Sequence, residues 1–154
     1  MSREVGADEL VLFGTKGGPS IRAIGPSTMP TSSLLDIGER FRIIVDCGLG
    51  VTRAIRESGR AVDSITHIFI THYHSDHILE LGGLLNTAWC CGLKHKVHLL
   101  GPEGLEECWE GFCRMLGYDL QVRQEDEGRP DLRSLVVLHT HGAGEILRDG
   151  DLVV

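Results

Sequence analysis

Three histidines and an aspartate lie within six consecutive positions of this sequence, in the segment His72-Tyr73-His74-Ser75-Asp76-His77. Imidazole nitrogen is a strong ligand for zinc and similar ions, and a carboxylate adds a harder oxygen donor. A tight turn after a strand can aim all four side chains at one point. The alternative is a polar turn that is rich in histidine by chance. The mixture of both ligand types in so short a segment favours a metal site.

Four donors do not complete two catalytic zinc sites, because a catalytic zinc usually has about three protein ligands and a water molecule. Two metal ions held close together would activate a water molecule and polarise a phosphoryl, sulfuryl or acyl oxygen. The motif therefore predicts hydrolysis, and it predicts that further ligands are needed.

The segments before the motif indicate the start of an α/β fold. An apolar strand at residues 10–13 runs into a glycine-rich loop at 14–19. This loop is either a tight connection or a loop whose backbone N–H groups face the metal cleft. Two strands at 33–37 and 42–45 predict a hairpin, and residues 51–58 predict a short amphipathic helix.

The motif follows a strand that ends at Ile70, and open α/β folds place ligands at that end of a strand. Apolar residues at three- and four-residue steps predict a helix over 79–93, and a strand at 97–100 and a helix at 103–116 follow. The polar segment 121–133 is interpreted as a surface connection. The remaining apolar segments predict short strands at 135–138, 145–147 and 152–154.

The motif resembles the His-x-His-x-Asp-His signature of the metallo-β-lactamase superfamily. Four further segments look like its ribonuclease Z-like and arylsulfatase-like branch, namely 14–19, 45–48, 88–89 and 101–102. The resemblance implies an α/β (α+β) chain that forms the N-terminal β/α half of a four-layer αββα sandwich. We expect residues 1–154 to be a single domain of this type, incomplete at its C-terminus. The missing half would carry a further His, a metal-bridging Asp and a final His.

The resemblance also assigns roles to the motif residues. His72 and His74 would be ligands of the first metal ion, and Asp76 and His77 ligands of the second. Asp76 would also accept and donate the proton during hydrolysis. The implied cofactor is Zn²⁺, as two ions in a complete site, with Mn²⁺ or Fe²⁺ as alternatives. Members that process tRNA usually carry Gly where this chain has Ser75, and this departure favours a small phosphodiester or sulfate ester over an RNA 3′ end.

Two functions follow from these residues. The first is a zinc-dependent hydrolase of phosphodiesters or sulfate esters. The second is a noncatalytic half-domain that binds metal and assembles as a homo-oligomer or with a complementing C-terminal half. The bare sheet face of such a half-domain would expose an apolar patch, which is typical of interaction surfaces.

Three residues outside the motif are candidate accessory residues. Asp46 ends a strand, and it is either a partner that orients a ligand imidazole or a turn-forming residue. His139 and His141 lie on the same face of a strand. They are either a replacement ligand pair, as in a metal-responsive binding module, or strand-end residues exposed to solvent.

The remaining histidines and the cysteines predict no further site. We expect His67 to be a core or edge imidazole with its hydrogen bonds satisfied, and His95 and His98 to face solvent. The cysteines lack a Cys-x-x-Cys spacing and are odd in number, which predicts reduced and mostly buried thiols. They are Cys47, Cys90, Cys91, Cys108 and Cys113.

Composition limits the classes of partner. No apolar stretch approaches the ~20 residues that span a bilayer, and the start of the chain lacks a signal-peptide core, so we expect a soluble, cytoplasmic protein without membrane contacts. The formal net charge of -7 opposes nonspecific binding to phosphate backbones.

Overall fold

The computed structural model describes residues 8–20, 29–38, 40–144, 148–150 and 152–153. Six strands form one sheet in the order β1-β2-β3-β4-β5-β6. The first three pair antiparallel, and β3 to β6 pair in parallel. Their bounds are Glu9–Gly14, Ser32–Ile37, Phe41–Val45, His67–Phe69, Val97–Gly101 and Val136–Thr140.

Within the described residues, six helices supply the second layer, and a short 3-10 helix at Val62–Ser64 precedes β4. Alternate residues of the strands, such as Ile44, Ile68 and Leu99, point towards this helical layer. They are fully buried in one core with Trp89. Full burial of one such apolar side chain stabilises the fold by ~1.5–3 kcal/mol. The helices α1 to α6 are Val51–Glu57, Ser75–Ile78, Leu81–Cys91, Leu105–Met115, Gly117–Glu127 and Leu132–Leu135.

Most of the predicted elements are confirmed, and the differences are these. The strand before the motif is only three residues long. The helix predicted over 79–93 is confirmed as α3, and the short helix α2, which was not predicted, begins inside the motif. Gly92 ends α3 with a φ of 114°, as its type predicts. A further strand at Arg148–Asp149 pairs with Leu152–Val153. The predicted strand at 145–147 and the end of the one at 152–154 lie outside the described residues.

The interpretation of 121–133 as a surface connection is wrong, because α5 and α6 occupy most of it. Among the residues of α5 only Leu120 is buried, so apolar periodicity is weak. Charged side chains stabilise the helix instead. Arg123 Nε lies 3.0 Å from Asp119 Oδ1, and Arg123 Nη1 lies 3.0 Å from Glu127 Oε1. Ion pairs between residues four apart each stabilise a helix by ~0.2–0.5 kcal/mol. This spacing of opposite charges is the sequence pattern that would have predicted α5.

The opposite face of the sheet carries Ile43, His67, His98 and Leu100, and we call it the hairpin face. Ile43, His67 and His98 occupy paired positions on neighbouring parallel strands, which places them on the same face. The hairpin of β7 (Arg148–Asp149) and β8 (Leu152–Val153) lies against this face.

Two sequence-based expectations concern the chain as a whole. All five cysteines are free, as predicted, but only Cys47 and Cys113 are fully buried and Cys91 is exposed. Across the described part of the chain, no helix combines the length and apolar character needed to span a membrane.

Candidate metal centre

The motif lies where the chain leaves the sheet after β4. Ile70 still belongs to the sheet, since its N–H donates to the Leu100 carbonyl at 2.8 Å. His74 has an extended backbone (φ −64°, ψ 146°) and directly precedes α2, and its carbonyl accepts the His77 N–H at 2.9 Å. This short strand-to-helix connection sets the motif at the carboxyl ends of the parallel strands, as predicted from open α/β folds.

The three motif imidazoles pack against one another. His72 Nε2 lies 3.1 Å from His74 Nδ1. The ring centroids of His72 and His77 are 4.0 Å apart. Two nitrogen ligands on a tetrahedral zinc ion lie ~3.3 Å apart, so the spacing of His72 and His74 fits a shared ion.

Asp76 is buried beside His77 and is held by the glycine-rich loop. The Gly18 N–H donates to Asp76 Oδ2 at 2.5 Å, and His77 Nε2 is 3.5 Å from the same oxygen. The Gly18 hydrogen bond holds the pKa of Asp76 below its usual value. Asp76 is therefore a carboxylate at neutral pH. Of the two interpretations of residues 14–19, this contact supports the loop whose backbone N–H groups face the cleft.

Asp46 joins the end of β3 to the motif. Its φ of 62° turns the chain, and its carboxylate is buried. Oδ1 accepts from the Thr71 N–H at 2.8 Å, and Oδ2 lies 2.7 Å from His77 Nδ1. Both interpretations of Asp46 therefore hold, because it forms the turn and also contacts a candidate ligand. Because the Asp46 carboxylate contacts His77 at Nδ1, the other ring nitrogen, Nε2, faces Asp76 and is available to bind a metal ion.

Two supporting residues were not predicted from the sequence. The Thr71 hydroxyl lies 3.0 Å from both carboxylate oxygens of Asp46, and its position directly before the motif was a usable signal. The Glu80 carboxylate accepts from the Gly50 N–H and from the Thr52 N–H (2.9 Å), so it caps α1. No local pattern could reveal Glu80, because its partners precede it by about 30 residues.

The possible replacement pair contacts residues other than those of the motif. His139 Nε2 lies 2.8 Å from His98 Nδ1. His141 Nδ1 lies 3.1 Å from the Gly142 carbonyl oxygen, and its ring stacks on Phe69. His139 and His141 are both half-buried, so the prediction that they are exposed strand-end residues is wrong.

The other three histidines follow the expectations only in part. His95 is exposed and His67 is buried, as predicted. The prediction that His98 faces solvent is wrong, since its ring stacks on those of His67 and His139. His67 is also not fully satisfied, because its Nε2 is buried without a hydrogen-bond partner. Parallel pairing of β4, β5 and β6 brings these rings together, which no local pattern could indicate.

The sequence is similar to those of several curated proteins named Ribonuclease Z. The chain is 38% identical over 118 residues to a Ribonuclease Z of Clostridium botulinum, covering 74% of this chain and 36% of that protein. It is 34% identical over 140 residues to a Ribonuclease Z of a Mycobacterium strain, covering 89% of this chain and 46% of that protein. The chain thus spans between about a third and a half of the length of these curated relatives.

Solved structures agree with the fold. The short form of human tRNase Z superposes with a TM-score of 0.62 at 26% identity, covering 89% of this chain and 47% of that chain. A metallo-beta-lactamase fold protein of Bacillus subtilis has the same TM-score at 17% identity, covering 94% and 50% of the two chains, and supports the fold alone. The predicted α/β class and half-sandwich are therefore confirmed. The model of the family described as "Metallo-beta-lactamase superfamily" matches residues 26–147. This chain belongs to the metallo-β-lactamase superfamily.

Proposed function

We propose that this chain provides the metal-binding half of a zinc-dependent hydrolase that cleaves phosphodiester bonds, with RNA 3′ ends as the substrate class. One observation carries the proposal. The motif imidazoles and the Asp76 carboxylate converge at the carboxyl end of β4, and a buried Asp46 carboxylate orients His77. Sequence similarity to proteins named Ribonuclease Z supports the phosphodiester class.

Each motif residue has a proposed role. His72 and His74 would hold one ion, and Asp76 and His77 a second. Zinc bound there would supply an activated water molecule and charge stabilisation for the phosphoryl oxygens. Asp76 is proposed to accept and then donate the proton, and it is the only carboxylate within the motif. Asp46 keeps the His77 ring in one orientation.

Ser75 does not count against an RNA substrate. It is exposed and is the first residue of α2. Among the described non-glycine residues only Asp46 has a positive φ, so the backbone at Ser75 does not require glycine. A serine there is compatible with the motif geometry, so the preference for a phosphodiester depends on the similarity to proteins named Ribonuclease Z.

A second candidate function is a noncatalytic half-domain that binds metal and assembles with itself or with a complementing chain. The exposed apolar side chains of Leu10 (61%) and Leu12 (56%) favour it, because they lie on β1 at the edge of the sheet. Edge strands with apolar side chains pair readily with other chains.

Zinc binding and ester hydrolysis by the purified chain test the proposal. Zinc would be measured with a chromophoric chelator, and hydrolysis with bis(4-nitrophenyl) phosphate and with 4-nitrophenyl sulfate. We expect zinc binding and preferential hydrolysis of the diester. His72→Ala/His74→Ala should bind less zinc than the wild type and should lose the hydrolysis. The matched control is His95→Ala, whose ring is exposed outside the motif.

The other outcomes separate the alternatives. Zinc binding without diester hydrolysis, together with a dimer in light scattering, would favour the assembling half-domain. Faster hydrolysis of the sulfate would refute the phosphodiester class, and equal zinc binding by the double variant and the wild type would refute the metal centre.

A further inference from the structure

A second group of metal-ligating side chains lies on the hairpin face, away from the motif. One ligand atom from each of His67, His98 and Asp149 lies within 4.8 Å of the other two. His67 Nε2 and Asp149 Oδ2 are 3.9 Å apart. His67 is the first residue of β4, whereas the motif follows the carboxyl end of that strand, so the two groups are separate.

The His67 imidazole is the strongest sign of a ligand. It is 1% exposed, and its Nδ1 lies 2.9 Å from the Thr66 hydroxyl. Its Nε2 is buried without a hydrogen-bond partner. An unpaired buried polar atom costs about 1–3 kcal/mol, so such an atom calls for an explanation. A cation would supply the missing partner.

The rings of His98 and His139, beside His67, are also arranged as expected for a metal site. His98 stacks on His67 with ring centroids 4.9 Å apart, and His98 Nδ1 lies 2.8 Å from His139 Nε2. Metal-ligating histidines usually engage their second ring nitrogen with a protein group. The tautomer in which His98 Nδ1 donates to His139 leaves the His98 Nε2 lone pair free for a ligand. His67 also engages its Nδ1 and keeps Nε2.

We propose that His67, His98 and Asp149 form a second divalent-metal site, of the kind that suits Zn²⁺, which fastens the β7–β8 hairpin to the sheet. The donor set of two imidazoles and one carboxylate is a common zinc set, with a fourth position for water. Ligand atoms around zinc lie ~3.3 Å apart, so the group must contract slightly. Asp149 can provide this movement, because its side chain is 48% exposed on the hairpin. His139 acts as a positioning residue for His98.

Zinc stoichiometry in two series of variants tests this site without relying on hydrolysis. The first series begins with His72→Ala/His74→Ala/His77→Ala, which removes the motif imidazoles. We expect this variant to keep about one zinc ion per chain. Adding Asp149→Asn or His98→Ala should abolish that binding, and adding His139→Ala should weaken it about 10- to 100-fold.

The second series leaves the motif intact. Asp149→Asn alone should lower the zinc content by about one ion per chain. It should also speed hydrogen exchange over residues 148–153 in the presence of zinc. Asp126→Asn, at an exposed carboxylate of α5, is the control and should change neither value. Asp149 is exposed, so this variant should fold, and circular dichroism checks that it does.

Two results would overturn the site. One is a zinc content at background in the motif-deficient variant, measured while circular dichroism shows it folded. The other is bound zinc that is unaffected by Asp149→Asn and His98→Ala. Neither result bears on the phosphodiesterase proposal, which fails independently if the wild type and the motif-deficient variant bind the same amount of zinc.

Discussion

Substitution of Asp46 separates its two contributions, the turn and the orienting carboxylate. Asp46→Gly keeps a residue that tolerates the φ of 62° but removes the carboxylate. Asp46→Ala removes the carboxylate and also places an alanine in the left-handed region, which costs about 1–2 kcal/mol. Asp46→Asn retains one oxygen acceptor and a residue type that tolerates this φ.

The expected losses in free energy of unfolding follow from these contacts. Removing the carboxylate leaves the Thr71 N–H unpaired, which costs about 1–3 kcal/mol. We therefore expect Asp46→Gly to lose about that amount and Asp46→Ala a further 1–2 kcal/mol or so. Asp46→Asn should be the mildest, with a loss of about 0.5–1.5 kcal/mol.

The same variants should weaken zinc binding at the motif. His77 Nδ1 loses a charged partner at 2.7 Å in each variant, and loss of such a partner typically lowers metal affinity about 10- to 100-fold. Urea unfolding and competition with a chromophoric chelator measure the two effects, and Asp126→Asn serves as the control. Wild-type zinc affinity in Asp46→Gly would refute the orienting role. Equal stability of the Gly and Ala variants would refute the expected cost of placing alanine at the positive φ of residue 46.

Three further predictions concern the scaffold. Burial raises the pKa of Asp36, but hydrogen bonds from Arg60 and Arg42 outweigh this effect and hold the pKa below 3.8. The Asp36 carboxylate therefore stabilises the fold above pH 3.8, and this contribution is lost as the pH falls through the lowered pKa. Asp36→Asn should therefore cost about 1.5–3 kcal/mol at pH 7, and urea unfolding should show the difference from wild type shrinking in acid. Glu80→Ala removes the cap of α1 and should cost about 0.5–2 kcal/mol by the same assay; no change would refute the capping role. Gly48→Ala would place a Cβ 2.5 Å from a backbone oxygen of the motif, so we expect weaker zinc binding and a loss of about 1–3 kcal/mol, and an unchanged zinc titration would contradict the close approach.

Local patterns predicted most of the fold. The hairpin of β2 and β3, the helix α1 and the strand β5 were correct, because each buries a regular pattern of apolar side chains. The helix α5 was missed because it buries so little and is held by charge pairs along its surface. The short helix α2 was missed because the motif residues themselves form it.

The sequence alone determined the chemistry of the candidate site, because His72 to His77 are adjacent and their donor atoms are a property of residue type. Only the tertiary structure decided which groups support them. The Asp46–His77 contact joins residues 31 positions apart, and the Gly18–Asp76 contact joins residues 58 apart. Strand pairing likewise brings His67 beside His98, and the hairpin brings Asp149 to both. Such neighbours are set by sheet register and chain crossing, which depend on the packing of the whole domain and leave no trace in local spacing.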